Sequence, residues 1–140
     1  MKEKYKILSS FIKDMSSETP DVKSYLFTKD NISDYELDIN INSIALKNKL
    51  VEVDTSLKFE NKKNVEKKSF FEIVYATIVK IEDDVIDKKD IKKIILCDVQ
   101  AEIYPKLEKI LITLLSDSGY PNVKFNKTVD FNKLFNEKFN

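Results

Sequence analysis

The run Ser69–Ile81, SFFEIVYATIVKI, constrains this chain more than any other stretch. Laid out as a strand, one face carries Phe71, Ile73, Tyr75, Val79 and Ile81, and the other carries Phe70, Val74, Ala76 and Ile78. A strand in a sheet with one wet face alternates cleanly between apolar and polar, so apolar residues on both faces imply cover on the second face as well. In a chain of 140 residues, a second copy of the same chain is a ready source of that cover.

The rest of the N-terminal half reads as further strands. Tyr5, Ile7 and Phe11 fall on one face of a strand ending near Met15, with Leu8 and Ile12 on the other. Ser16–Ser24 turns, Pro20 interrupts pairing, and Tyr25-Leu26-Phe27 forms an apolar island inside a polar connection, of the kind that tucks under a fold. Tyr35, Leu37, Ile39 and Ile41 then alternate with Glu36, Asp38, Asn40 and Asn42. Over Leu50–Glu60, Val51, Val53, Thr55, Leu57 and Phe59 alternate with Glu52, Asp54, Ser56, Lys58 and Glu60. A polar hairpin loop over Asn61–Lys68 leads into Ser69–Ile81. Long alternation with short connections predicts a four-stranded antiparallel meander.

After Ile81 the period changes. Glu82–Asp90 reads as an acidic-polar linker. Beyond it Ile91, Ile94, Ile95, Val99 and Ile103, then Leu107, Ile110, Leu111, Leu114 and Leu115, recur at helical spacing. Pro105 must kink or divide this long helical region, because it lacks an amide hydrogen and crowds the preceding turn. Gly119, the only glycine, sits where a left-handed cap is needed, and Pro121 follows. Asp130 can cap a short final helix with Phe131, Leu134, Phe135 and Phe139 on one side. The predicted class is α+β: a four-stranded antiparallel sheet, a long kinked helical region and a short C-terminal helix, in a single domain over residues 1–140.

Composition narrows the function. With no histidine, Ser-His and Cys-His nucleophilic catalysis and histidine metal sites are excluded, and one glycine cannot build a phosphate-binding loop. The acids Glu82, Asp83, Asp84 and Asp87 lack the spacing of a calcium loop. No enzyme activity, metal or cofactor is expected. The charges balance to zero and every basic residue is lysine, which gives no field or bidentate clamp for nucleic acid. The pairs Lys62-Lys63, Lys67-Lys68, Lys88-Lys89 and Lys92-Lys93 alternate with acids and lack interleaved aromatics, so a lysine-dependent nucleic-acid binder is only an alternative. The single Cys97 forms no internal disulfide, and the N-terminus has no leader-like or membrane-spanning run, so a cytoplasmic protein without stable membrane insertion is expected. What remains is an excess of aromatic and branched residues, which marks association or a binding groove.

Three motifs then coincide. Phe11-Ile12-Lys13-Asp14-Met15-Ser16-Ser17-Glu18-Thr19-Pro20 is similar to the first-strand segment of SecB, the bacterial protein-export chaperone family. Ile103-Tyr104-Pro105 through Gly119-Tyr120-Pro121 resembles that family's helix opening and ending, and Val129-Asp130-Phe131 with Leu134 and Phe135 resembles its terminal motif. The resemblance implies an ATP-independent holdase: a homotetramer, built as a dimer of dimers, that binds unfolded preproteins in apolar grooves and passes them to the SecA motor. It implies a client groove lined by Tyr25, Leu26, Phe27, Tyr35 and Leu37, and motor docking through Asp14, Glu18, Phe70 and Glu72. Phe71, Ile73 and Tyr75 are assigned to core or subunit interface, which periodicity alone leaves open.

The departures carry expectations too. A neutral chain should be steered more weakly to the motor than the usual acidic relatives. Ala76-Thr77 stands where relatives commonly have a glycine pair, and Asn31 where many have a groove tryptophan. The sequence stops at Asn140, where relatives continue into a tail that contacts the motor, so that second contact is expected to be missing. An adaptor dedicated to one client, such as an antitoxin, is the alternative within the same resemblance.

Overall fold

The computed structural model describes residues 3–63, 68–125 and 129–139, with side chains through residue 137. The middle of the expected Asn61–Lys68 loop, Lys67 of the lysine pairs and the side chain of Phe139 lie outside the described residues. Four strands, β1 (Tyr5–Glu18), β2 (Tyr35–Ala45), β3 (Leu50–Asn61) and β4 (Phe70–Ile81), form one antiparallel sheet. The long helix α3 (Val99–Asp117) and a short C-terminal helix α4 (Phe131–Phe139) complete the α+β architecture.

The strand order is β1-β4-β3-β2, which corrects the expected meander. Only β2, β3 and β4 follow one another. β1 instead pairs with β4 along its whole length, from Tyr5 opposite Ile81 to Glu18 opposite Phe70, and so runs to Glu18 rather than Met15. The chain crosses from β1 to β2 through a helix, α1 (Val22–Asp30), and a short 3₁₀ turn over Ile32–Asp34. Tyr25, Leu26 and Phe27 therefore belong to a helix and not to an irregular connection. Asp21 begins it, its Oδ1 accepting from the Ser24 amide at 2.8 Å.

The core lies between one face of the sheet and the later helices. Phe71, Ile73, Tyr75, Val79 and Ile81 of β4 are buried with Val53, Leu57 and Phe59 of β3. Against them pack Ile103, Leu107, Leu111 and Leu115, the i, i+4 stripe of α3. Phe71, Ile73 and Tyr75, which periodicity left open between core and subunit interface, are buried in this core. No described element of the chain covers the opposite face of β4, where Phe70, Glu72, Val74 and Ile78 are half-buried.

The helical region starts earlier than expected and does not divide at Pro105. Helix α2 (Lys88–Lys93), capped by Asp87, passes into a π turn over Ile94–Asp98 and directly into α3, with helical dihedrals at Lys93, Ile94, Asp98 and Val99. Pro105 lies inside α3 on its exposed side. The irregular turn is upstream, where Gln100 Nε2 reaches the Ile95 carbonyl at 3.3 Å and the buried Thr55 Oγ1 at 2.9 Å. A polar side chain thereby ties the π turn to the centre of the sheet.

Helix α3 ends as its sequence predicts. Gly119 takes φ 107, the Tyr120 amide donates to Leu115 O at 2.9 Å and the Gly119 amide to Ser116 O at 3.1 Å. This pairing of donors is the Schellman arrangement, which requires a left-handed residue at that point. Asp130 caps α4, its Oδ1 accepting from the Lys133 amide at 3.0 Å.

Candidate functional site

Helix α1 is inverted relative to an ordinary surface helix. Its buried residues are Ser24 and Thr28, while Val22 is 72% exposed and Leu26 51%. The polar side faces inward because it has partners there. The Ser69 amide donates to Thr28 Oγ1 at 3.0 Å, Tyr35 OH donates to Ser69 O at 2.5 Å, and Thr28 Oγ1 lies 3.2 Å from Tyr35 OH. These bonds close a ring when Thr28 donates to Tyr35, so buried hydroxyls are satisfied and the apolar residues are turned outward. Burial raises the Tyr35 pKa.

The five residues expected to line a client groove therefore divide. Leu26 is open, Phe27 and Leu37 are half-buried, and Tyr25 lies against Tyr120, ring centroids 5.4 Å apart, with its hydroxyl donating to Gly119 O at 3.2 Å. Tyr35, expected to help line the groove, is only 7% exposed, its ring held between Phe59 and Phe71. Its hydroxyl has work inside the fold, and its ring has little surface left to present.

An open apolar groove lies next to Leu37 along the same face of β2. Ile39 and Ile41, Leu96 of the π turn, and Phe131, Leu134 and Phe135 of α4 enclose about 300 Å³, with Glu137 at its wall. Sequence reasoning assigned Ile39 and Ile41 only to the inner side of a strand. Extending the Tyr35–Leu37 alternation two steps along β2 would have reached them.

A second apolar hollow of about 400 Å³ runs between the edge strand β1 and α3, lined by Ile12, Met15, Ile110, Leu114 and the stems of Lys106 and Lys109. β1 and α3 are tied at two points, where Tyr5 OH donates to Glu102 Oε2 at 2.7 Å and Ser17 Oγ meets Ser118 Oγ at 2.7 Å. Burial, followed by the bond to Glu102, raises the Tyr5 pKa. Ile12 and Met15 remain 44% and 49% exposed.

The four expected docking residues do come together. Glu18 pairs with Phe70, Ser16 with Glu72 and Asp14 with Val74, so all four side chains project from the sheet face away from the helices. Glu72 is not isolated there: Lys58, its cross-strand neighbour on β3, stands 3.6 Å away. Lys13 bridges Glu52 at 2.7 Å and Asp54 at 2.9 Å, and the bonds to these carboxylates raise its pKa. To reach β3 from β1, Lys13 must cross β4, and Ala76, fully buried, is the smallest residue on that face. Much of the outer face is thus acid–lysine pairs around a half-buried apolar centre.

Among the described residues, no helix is long and apolar enough to cross a membrane. The sequence profile of the family described as preprotein translocase subunit SecB matches residues 1–140. A Pelagibacter ubique protein that carries the name protein-export protein SecB provisionally is 54% identical over the full length of both chains. The protein-export protein SecB of Xanthobacter autotrophicus is 25% identical over 94% of this chain and 83% of its own. Among solved structures, the SecB-like chaperone of Mycobacterium tuberculosis, in complex with a peptide from an antitoxin, is similar in fold. Its TM-score is 0.57 at 9% identity, covering 89% of this chain and 91% of that one. The sheet order, the capped helices and a profile match over every residue lead to one conclusion: the chain belongs to the SecB family.

Proposed function

We propose that this protein is an ATP-independent holdase that keeps preproteins unfolded in the cytoplasm and hands them to a SecA-type motor. The observation that carries the reading is large apolar side chains left open: Leu8, Phe11, Ile12, Met15 and Leu26 are each 44–51% exposed. A chain with this much open apolar surface associates with something, and two apolar grooves could take extended clients or a second copy. Holding a client unfolded requires only higher affinity for the unfolded state, so no catalytic group enters the mechanism. Leu26, Phe27 and Leu37, continued by Ile39, Ile41 and α4, would form the client surface. Asp14, Glu18, Phe70 and Glu72 would form the motor surface on the opposite face of the sheet.

Self-association as a dimer of dimers belongs to the same reading. The test is suppression of aggregation of a slow-folding preprotein at stoichiometric chaperone, with the mass measured in the same sample. No suppression by a confirmed tetramer would remove the holdase. Delivery is tested separately by the affinity for SecA of the wild type and of Glu72→Lys, which should bind at least tenfold more weakly. The solved SecB-like neighbour, seated on an antitoxin peptide, favours a second reading, an adaptor for one client. A pulldown that returns a single protein rather than many would select it.

A further inference from the structure

The π turn over Ile94–Asp98 breaks the helical ladder beside the apolar groove under α4. The Val99 amide, which in an α-helix would donate to Ile95 O, donates instead to Ile94 O. One residue is thereby added to the turn, and the faces of the helix are reassigned. In an unbroken α-helix Leu96 would stand on the same face as Gln100, four positions on. Here Ile95 takes that place, 7% exposed beside the fully buried Gln100, and the half-buried Leu96 turns aside to line the groove. Cys97, next in the chain, meets α4, its Sγ lying 3.5 Å from Phe131 O.

A polar pair holds this turn inside an apolar core. Gln100 Nε2 reaches Ile95 O at 3.3 Å and Thr55 Oγ1 at 2.9 Å. Thr55 stands on β3 directly opposite Ile41 of β2, and residues so paired have their side chains about 5 Å apart. Ile41 is itself a wall of the groove, as Leu96 is. The Thr55–Gln100 bond therefore joins the strand pair that carries one wall to the turn that carries another. Replacing both partners of a buried hydrogen bond by apolar groups of similar shape can be nearly neutral for stability. What the bond adds is a fixed distance and direction, which apolar contact does not impose.

Resting on the reading of this groove as a client site, we infer that Gln100 is its positioning residue. Through Thr55 it holds the π turn in place on the sheet, and so sets the spacing between Leu96 and Ile41 into which the apolar side chains of a client fit. An apolar pair in place of Thr55 and Gln100 keeps the fold but lets the turn slip, and the groove loses its fixed width.

The test uses the full chain and a labelled peptide of serine and glycine with leucines at alternate positions. Binding is read by fluorescence anisotropy and stability by urea denaturation of the same samples. The pair Thr55→Val with Gln100→Leu should stay close to the wild type in urea yet bind the peptide at least fivefold more weakly, and Thr55→Val alone should show the same loss of binding. Thr55→Ser keeps the hydroxyl and gives up a buried methyl, so it should be less stable than the wild type yet bind within twofold of it. Leu96→Ala should weaken binding at least threefold in the wild type and less than twofold when added to the pair, because both changes act on one spacing. Wild-type affinity in the pair or in Thr55→Val, a loss of binding in Thr55→Ser, or full additivity with Leu96→Ala would overturn the inference and leave the groove standing. Ile41→Asp should weaken binding at least tenfold. Binding that ignores Ile41→Asp, or no binding by the wild type, would remove the groove reading and this inference with it.

Discussion

Gly119 is the residue at which local geometry and tertiary packing meet most sharply. Its φ of 107 is strained for any residue with a side chain, and an added Cβ would lie 2.6 Å from Tyr25 Cε1. The Tyr25 ring cannot move aside freely, because it rests on Tyr120 and its hydroxyl holds Gly119 O. Gly119→Ala should therefore destabilise by about 1–3 kcal/mol, read as a lowered midpoint in urea denaturation. With Tyr25→Ala already present, the further loss should shrink toward the backbone component of about 1 kcal/mol. The turn was legible in the sequence as a lone glycine before Pro121, but the contact was not, because Tyr25 and Gly119 are separated by 94 positions. The Thr55–Gln100 pair is of the same kind, buried and 45 positions apart. Thr55→Val should cost about 1–3 kcal/mol by leaving the buried Gln100 amide short of a partner. Adding Gln100→Leu should cost much less than the sum of the two single changes, a coupling that a double-mutant cycle in urea would measure.

Elements were legible where their period is regular and illegible where it breaks. β2 and β3 alternate without interruption, β4 keeps an unbroken register with β3, and their inward faces match the sequence reading. β1 carries two bulges, between Ile7 and Ser9 and between Ile12 and Asp14. Each shifts the alternation by one residue, so Ile12 and Met15 return to the helix side while Phe11 turns to the outer face, an assignment that simple period-two counting cannot make. Helix α1 was hidden for a different reason: its inward stripe is Ser24 and Thr28, so no apolar period exists to detect. Helix α4 was legible from its cap and phenylalanines, and it sits over the buried Cys97, whose Sγ lies 3.5 Å from Phe131 O. Burial, then the negative charge of Asp98, raises the thiol pKa above its ordinary 9.0. The folded chain keeps that proton at a pH where the unfolded chain loses it, so this group's stabilising contribution is complete below about pH 9.0 and falls as pH rises beyond it. Native Cys97 should thus react with iodoacetamide at least tenfold more slowly than the urea-unfolded chain, and Leu134→Asp, which loosens α4 at the groove it shares with β2, should close part of that gap without unfolding the sheet. Equal rates in native and unfolded protein would show that α4 does not protect the thiol.

At the scale of the molecule, the second apolar face of Ser69–Ile81 asked for a cover that none of the described elements provides. Phe70, Val74 and Ile78 stay half-buried among acid–lysine pairs, a surface that tolerates water and suits a transient partner. The stronger demand comes from β1. It is a 14-residue edge strand with no partner on one side among the described residues, and Leu8, Phe11, Ile12 and Met15 along it are each 44–49% exposed. Long apolar edges pair with another chain unless something blunts them. Lys6, Lys13 and the two bulges restrain indiscriminate pairing here, which leaves a matched edge, that of another copy, as the favoured occupant. Burying a Met15 side chain in such an interface stabilises by about 1.5–3 kcal/mol, and a carboxylate in its place would also have to be desolvated. Met15→Asp should accordingly weaken self-association by at least about tenfold while leaving the isolated fold intact, since Met15 contributes nothing to the buried core. Sedimentation equilibrium over a concentration series measures the association, and urea denaturation of the variant measures the fold. A wild type that stays monomeric throughout, or a variant whose mass is unchanged beside it, would mean that β1 is not where copies of this chain meet.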